Sequence, residues 1–513
     1  MQHAPDPGTP VPPPFASMVE EARARALATG RRVLASWTER VTGRALDPLG
    51  AIEGVLRAGE FDRSMAELAG EALMYWARPR ERFILAGLGA AVVLGAVTTP
   101  AAAQPADGPD RFAGPDAAWS ALLRDAVVQA PATLPAGVGP VLMGGFSFDP
   151  LRPRASHWRD FPDALLVLPR FLLTVRGEES WITTNVVVAP DDRGDAAPAE
   201  TGATRRRVMG LAREGRNGTP SDAMDAELRF EGLRSASEWR TLVGDAVQAI
   251  RQGPLEKVVV ARAVHTAAAR DLDPFAALRH LAAAHPESHL FGCWRGESVF
   301  LGASPERLVR LEGRAVSASS LAGSAPRGAT PAEDDALAAE LLASPKDRAE
   351  HAVVRRMLCA ALAELCDDVR ALQEPSLLTL ANVHHLHTGV SARLREGHTL
   401  LQLVARLHPT PAVGGEPRDD ALRWIRDHEQ LDRGWYAAPV GWVGDQAGEF
   451  AVALRSGLVR GNEAWLFAGC GVVADSEPQA ELEESEVKLR SMQGAMERAA
   501  TAELPAGGGR PPR

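Results

Sequence analysis

The chain of 513 residues carries 56 Lys and Arg against 66 Asp and Glu, a net charge of −10, with 45% hydrophobic and 24% charged residues. That length can bury a substantial core in one large or several ordinary domains. The acidic balance excludes the basic footprint of a nucleic-acid binder or a membrane-surface protein, which leaves a small molecule or another protein as the partner.

Residues 1–16, beginning MQHAPDPGTPVPPPF, are Pro-rich, read as disordered and lack the charged-then-apolar pattern of a signal peptide. The Gly/Pro tail 504–513 reads the same way. Apolar periodicity predicts helices over 18–44 and 47–69. The run 83–97, FILAGLGAAVVLGAV, is shorter than the roughly 20 residues a spanning helix needs, and its glycines point to a buried strand and turn. A loop is expected over 100–116, then a helix over 117–130. β-rich runs at 141–148, 164–174 and 180–188 follow one another between Pro and Gly punctuation, and a polar loop is expected over 191–207. Strands in direct succession suit an antiparallel α+β fold more than a βαβ alternation. Residues 17–234 are therefore read as the N-terminal part of that fold.

The texture changes at residue 235, and 235–500 reads as a second region, to which the resemblance described below assigns the catalytic site. Helices are predicted over 235–252, 274–284, 344–365 and 418–430, with strands over 257–264, 290–294, 298–301, 440–443, 449–456 and 464–471 and a terminal helix around 480–492. Cys293, Cys359, Cys366 and Cys470 form no CxxC pair and no zinc spacing, so they read as reduced thiols in a cytosolic protein.

Only three lysines occur, Lys257, Lys346 and Lys488; the other 53 of the 56 basic residues are Arg. A chain that uses Arg for generic charge keeps a lysine where a compact ammonium that can lose its proton is needed. Alternation in LEKVVVARAV puts Lys257 with Val259, Ala261 and Ala263 on one face of a central strand, where burial favours a neutral, basic amine. Glu306, past the Ser-Pro turn of FLGASPERL, is ordinarily a solvent-facing turn residue; it gains meaning only if it faces Lys257. In SPKDRAEH, Ser344 caps a helix whose apolar face carries Glu350. On the terminal helix, AELEESEVKLRSM places Glu481, Glu484 and Lys488 on one stripe. Glu350, Glu481 and Glu484 together would offer hard carboxylate oxygens, which suit magnesium better than zinc. Magnesium keeps positions for an anionic substrate, so a substrate with its own carboxylate or phosphate is expected. Gly-bearing turns at 320–328, 408–417 and 467–473 could bring N–H groups against an anion, although none matches a phosphate-loop fingerprint. HHLH at 384–387 does not present ligands as HExxH does.

Taken in order, LEKVVVARAV, FLGASPERL, SLAGSAPRG, SPKDRAEH, LANVHHLHTGV, LHPTPAVGGEP, RGWYAAPVGW, ALRSG, FAGCGVV and ELEESEVKL resemble the chorismate-utilising enzymes. That group contains the isochorismate, salicylate and aminodeoxychorismate synthases and the anthranilate synthase large subunits. Before residue 235 the likeness is limited to strands such as those holding GGFSFDP and LPRFLL. The resemblance implies an α+β fold of two large antiparallel β-sheets packed as a sandwich, with helices outside and the site in a cleft. It implies Glu350 and Glu484 as magnesium ligands supported by Glu481, and a grip on the substrate from Arg455, Lys488, Ser324 and the backbone at Gly323 and Gly469. It implies His385 beside the ring, Lys257 as the base for water, and Glu306 as the acid for the departing hydroxyl. Ala412 is similar to the isochorismate synthases, where lyase-type members carry Thr; Tyr436 stands where some isochorismate synthases have Phe. Pro326-Arg327-Gly328 and RGWYA are similar to the menaquinone-type more than the siderophore-type enzymes. The implied activity is a magnesium-dependent isochorismate synthase of the cytoplasm acting on chorismate, a monomer or homodimer with no obligatory glutaminase partner. A salicylate synthase or an aminating anthranilate- or aminodeoxychorismate-type enzyme is the alternative.

Overall fold

The computed structural model describes residues 13–501 apart from 44, 60, 96–109, 193–196, 215–227 and 380–382. Its strands form two layers that share one long strand, Ala164–Arg176. In the first layer the order runs Val33–Val41, Glu179–Val188, Ala164–Arg176, Phe83–Leu94, Leu73–Arg78, His289–Arg295, Ser298–Ser304, Ser456–Arg460, Glu463–Val472, Lys257–Ala267, every neighbour antiparallel. The second layer leaves the first half of Ala164–Arg176 and runs Leu142–Phe146, Pro439–Val443, Ala447–Val452, Arg307–Glu312, Ala315–Pro326, Val383–Leu394. Among the described residues only the short Val127–Gln129 pairs in parallel, beside Val33–Val41. Strands from before and after residue 235 pair with each other in both layers, so the two parts make one α+β fold, as expected.

Pleating sends alternate side chains to different cores. Phe300 and Phe467 join Phe146 and Phe450 in the apolar core common to both layers. Their neighbours Leu301 and Leu466 point the other way, under the helices that carry Leu278, Leu281, Leu489 and Met496. Helix Pro274–Ala284 and the terminal helix Pro478–Thr501 thus cover the first layer.

Several expected elements differ. Over 18–44 the helix stops at Thr29 and Val33–Val41 is a strand. Gly30 turns the chain at φ 66, and the β-rich VLASWTERV run is claimed by sheet partners on both sides. Residues 13–16, expected to be disordered, open that helix; the rest of the N-terminal stretch and the 504–513 tail lie outside the described residues. The 47–69 helix is two, Pro48–Ala58 and Arg63–Glu71, capped by Asp47 and Asp62. The 117–130 helix begins and ends earlier, at Ala113–Arg124, before the Val127–Gln129 strand. The loop over 100–116 falls mostly outside the described residues. The second half of the 191–207 loop is helix Ala197–Glu214, because Val208, Met209 and Ala212 bury against the second core. The Gly segments at 320–328 and 467–473 lie largely within strands Ala315–Pro326 and Glu463–Val472, where glycine marks close approach.

One buried ion pair fixes the strand that carries Lys257. Arg433 (3% exposed) and Glu429 (2% exposed) are paired, Nε to Oε1, at 2.7 Å. Glu429 Oε2 accepts the Ala261 N–H at 2.8 Å, while Arg433 donates to Val259 O at 2.7 Å and Val413 O at 2.9 Å. Gly415 and Glu416 then pair with Val258 and Lys257. Glu429→Ala would strand the Arg433 charge in the interior. It is expected to lower stability by about 3–5 kcal/mol, read from the denaturant midpoint.

Candidate active site

The end of the Lys257 strand, the Ser-Pro turn before Glu306, the first turns of helix Pro345–Ala363 and the first half of the terminal helix meet around one cavity of about 310 Å³. Lys257, Glu306, Gly323, Ser324, Glu350, His385, Ala412, Tyr436, Arg455, Gly469, Glu481, Glu484 and Lys488 all line it. The sequence motifs, scattered over more than 200 positions, therefore converge in space.

Each charged group has a physical setting. The ammonium of Lys257 (4% exposed) donates to Glu350 Oε1 at 2.7 Å. Burial alone does not describe this amine, because a carboxylate stands beside it. Glu306 (5% exposed) has no such partner; burial pushes its carboxyl up to about 7, against the pull of Lys257 and Lys488. It is therefore part protonated at neutral pH, the state a proton donor needs. Lys488 bonds Glu484 at 2.6 Å and Gly469 O at 3.0 Å. Burial opposes both charges of that pair, yet each partner outweighs it, so Glu484 is held below and Lys488 above the ordinary range. Glu481 is raised by burial and by the like charge of Glu484, and its Oε2 has no hydrogen-bond donor.

Arg455 sits at φ 47, and burial lowers its guanidinium to about 10. His385 Nδ1 lies 2.9 Å from Ser324 Oγ and 3.3 Å from Gly323 O. Burial, then Arg455 and Lys488, pushes that imidazole down to about 3, so it is neutral across the physiological range. Tyr436, raised to about 12 by burial, stacks on Phe467 at 5.4 Å. HHLH does not gather around a metal: His384 bonds Asp334 at 2.9 Å and Thr379 at 3.0 Å, while His385 turns into the cavity.

Among the described residues no three ligating side chains form a ready-made metal centre. The residues nevertheless fit a divalent cation that takes one or two protein carboxylates. Glu350, Glu481 and Glu484 share the cavity, and Glu481 carries an orphaned buried oxygen beside the like charge of Glu484.

Lys346, Asp347, Arg433 and Gly471 fall within the quoted motifs without a role assigned to them, and they also line the cavity. Lys346 had a signal in the sequence, its rarity. Gly471 belongs to the Gly-bearing 467–473 segment, and a Cβ there would lie 2.9 Å from Lys257 Cε and 3.4 Å from Glu350 Oε1. Gly471→Ala is expected to displace the lysine and lower turnover on the order of 10²-fold with the fold kept, checked by steady-state rates beside a circular dichroism melt.

A family model described as chorismate binding enzyme matches residues 31–497. The chain belongs to the chorismate-binding enzymes. The match begins well before residue 235, so the first part, where motifs were faint, belongs to the family fold too. The chain is 41% identical over 393 residues to the salicylate biosynthesis isochorismate synthase of Pseudomonas aeruginosa, 76% of this chain and 80% of that one. It is 36% identical over 366 residues to the isochorismate synthase MenF of Bacillus subtilis, 70% and 75% of the two chains. The solved structure of MenF, the menaquinone-specific isochorismate synthase of Escherichia coli, has a TM-score of 0.70 at 22% identity, covering 93% of this chain and 100% of that one. That last likeness speaks for the fold, the chorismate-binding α+β architecture.

Proposed function

We propose that this chorismate-binding enzyme is an isochorismate synthase, converting chorismate to isochorismate for menaquinone or siderophore biosynthesis. The observation that carries the reading is a buried lysine and a buried, part-protonated carboxyl in one small cavity, in a chain 41% identical to an isochorismate synthase. Water adds to one ring carbon, the ring double bonds shift, and the hydroxyl leaves another carbon. Lys257, once its ammonium has released the proton it donates to Glu350, takes a proton from the incoming water; Glu306 gives one to the departing hydroxyl, so water enters and water leaves.

Arg455 and Lys488 meet the substrate's carboxylate and ring substituents, with the Gly323 and Gly469 backbone and Ser324 beside them. Neutral His385, tied at Nδ1, packs by the ring without moving a proton, and Ala412 and Tyr436 shape the wall. Glu350 and Glu484, supported by Glu481, would hold a magnesium ion, which when bound neutralises a substrate carboxylate. Among the described residues no helix is long and apolar enough to cross a membrane, and the reading places the enzyme in the cytoplasm, needing no glutaminase.

Purified protein incubated with chorismate and magnesium, without ammonium, tests this by chromatography and a pyruvate assay. Isochorismate without pyruvate is expected. Salicylate with pyruvate, or no reaction until ammonium is added, would overturn it.

A further inference from the structure

All three lysines of the chain line the same cavity. Two are held: Lys257 by Glu350 at 2.7 Å and Lys488 by Glu484 at 2.6 Å. Lys346 differs. It stands in the first turn of helix Pro345–Ala363, four residues before Glu350 and so on the same face. Of the cavity-lining residues it is the exposed one, which places its ammonium where the cavity meets solvent. It makes no hydrogen bond or ion pair among the described residues, although its field reaches Glu484.

We propose that Lys346 is a substrate-capturing residue, an unpaired cation at the cavity mouth that draws in a dicarboxylate and holds one of its carboxylates during entry. This rests on the isochorismate synthase reading, whose substrate carries two carboxylates. A chain of net charge −10 repels a dianion at long range. Salt screens that repulsion within about 8 Å at physiological strength, so the nearest charge at the mouth decides what a substrate feels last. A lysine suits the place in a chain that elsewhere uses Arg. A guanidinium fork there would clamp bidentately onto Glu350 or Glu484, whereas a strongly hydrated ammonium stays free for the ligand.

The test compares wild type, Lys346→Gln and Lys346→Glu in steady-state kinetics with chorismate over a range of salt. Lys346→Gln is expected to raise KM about tenfold with kcat within about twofold of wild type. For wild type kcat/KM should fall as salt rises; for Lys346→Gln it should be nearly flat, and for Lys346→Glu it should rise. A fall in kcat with KM unchanged, or a salt dependence identical in all three proteins, would overturn the capture role and leave the activity standing. A wild type that does not convert chorismate would overturn the reading beneath it and this role together.

Discussion

Lys257→Ala is expected to lower kcat by about 10²–10⁴-fold, the range that a positioned general base contributes. The side chain is 4% exposed, at the end of a strand paired on one side with Glu463–Val472 and on the other with Gly415 and Glu416. Those backbone pairs do not depend on the ammonium, so the fold should survive, and unchanged melting beside lost turnover is the expected pair of results. Substantial residual activity in a folded Lys257→Ala would remove the lysine from the base role. Lys257→Met, which keeps the apolar stem but not the amine, should behave like the alanine variant and separates loss of the base from loss of packing.

The second large effect belongs to Glu306. Its carboxyl is raised to about 7 by burial, so the acid form that donates a proton is present below that pH and lost above it. The wild-type rate should therefore decline as pH rises through about 7. Glu306→Gln, which has no proton to give, should be slower by about 10²–10⁴-fold and should lose that limb of the profile. The stability this group contributes also falls with rising pH. With a folded value above the ordinary 4.5, the native state binds more protons than the unfolded chain between the two, so this group costs stability as pH rises across that window. Glu306→Gln cannot ionise, and above neutral pH it should melt no lower than wild type. Lost activity with retained or improved stability would mark a group kept for chemistry; equal activity on both sides of neutrality would contradict the acid role.

How much of this was legible in the sequence depended on the range of the interaction. The terminal helix was legible because Glu481, Glu484 and Lys488 are spaced at one helical turn, and the Glu484–Lys488 pair forms at 2.6 Å. The Lys257 strand was legible because its β-branched alternation is local. Val33–Val41 was not, since its state is decided by partners about 90 and 150 residues away in the chain. Gly323 and Gly469 read as turns because isolated glycine signals a break, whereas here it admits close neighbours within strands. Nothing local to the sequence singles out the Glu429–Arg433 pair; only the fold brings Val259, Ala261 and Val413 against it. Partners were the missing information at Lys257 too, where burial was foreseeable and Glu350 was not.

The central claim is that Lys257 and Glu306 drive exchange of a ring hydroxyl for a water molecule within this cavity. It is tested most directly by turnover of chorismate in water labelled with heavy oxygen, with magnesium present and the product examined by mass spectrometry. Isochorismate carrying one labelled oxygen is the expected result. Unlabelled isochorismate would mean that the hydroxyl migrates without solvent, and would contradict the assignment of Lys257 as the base that activates water.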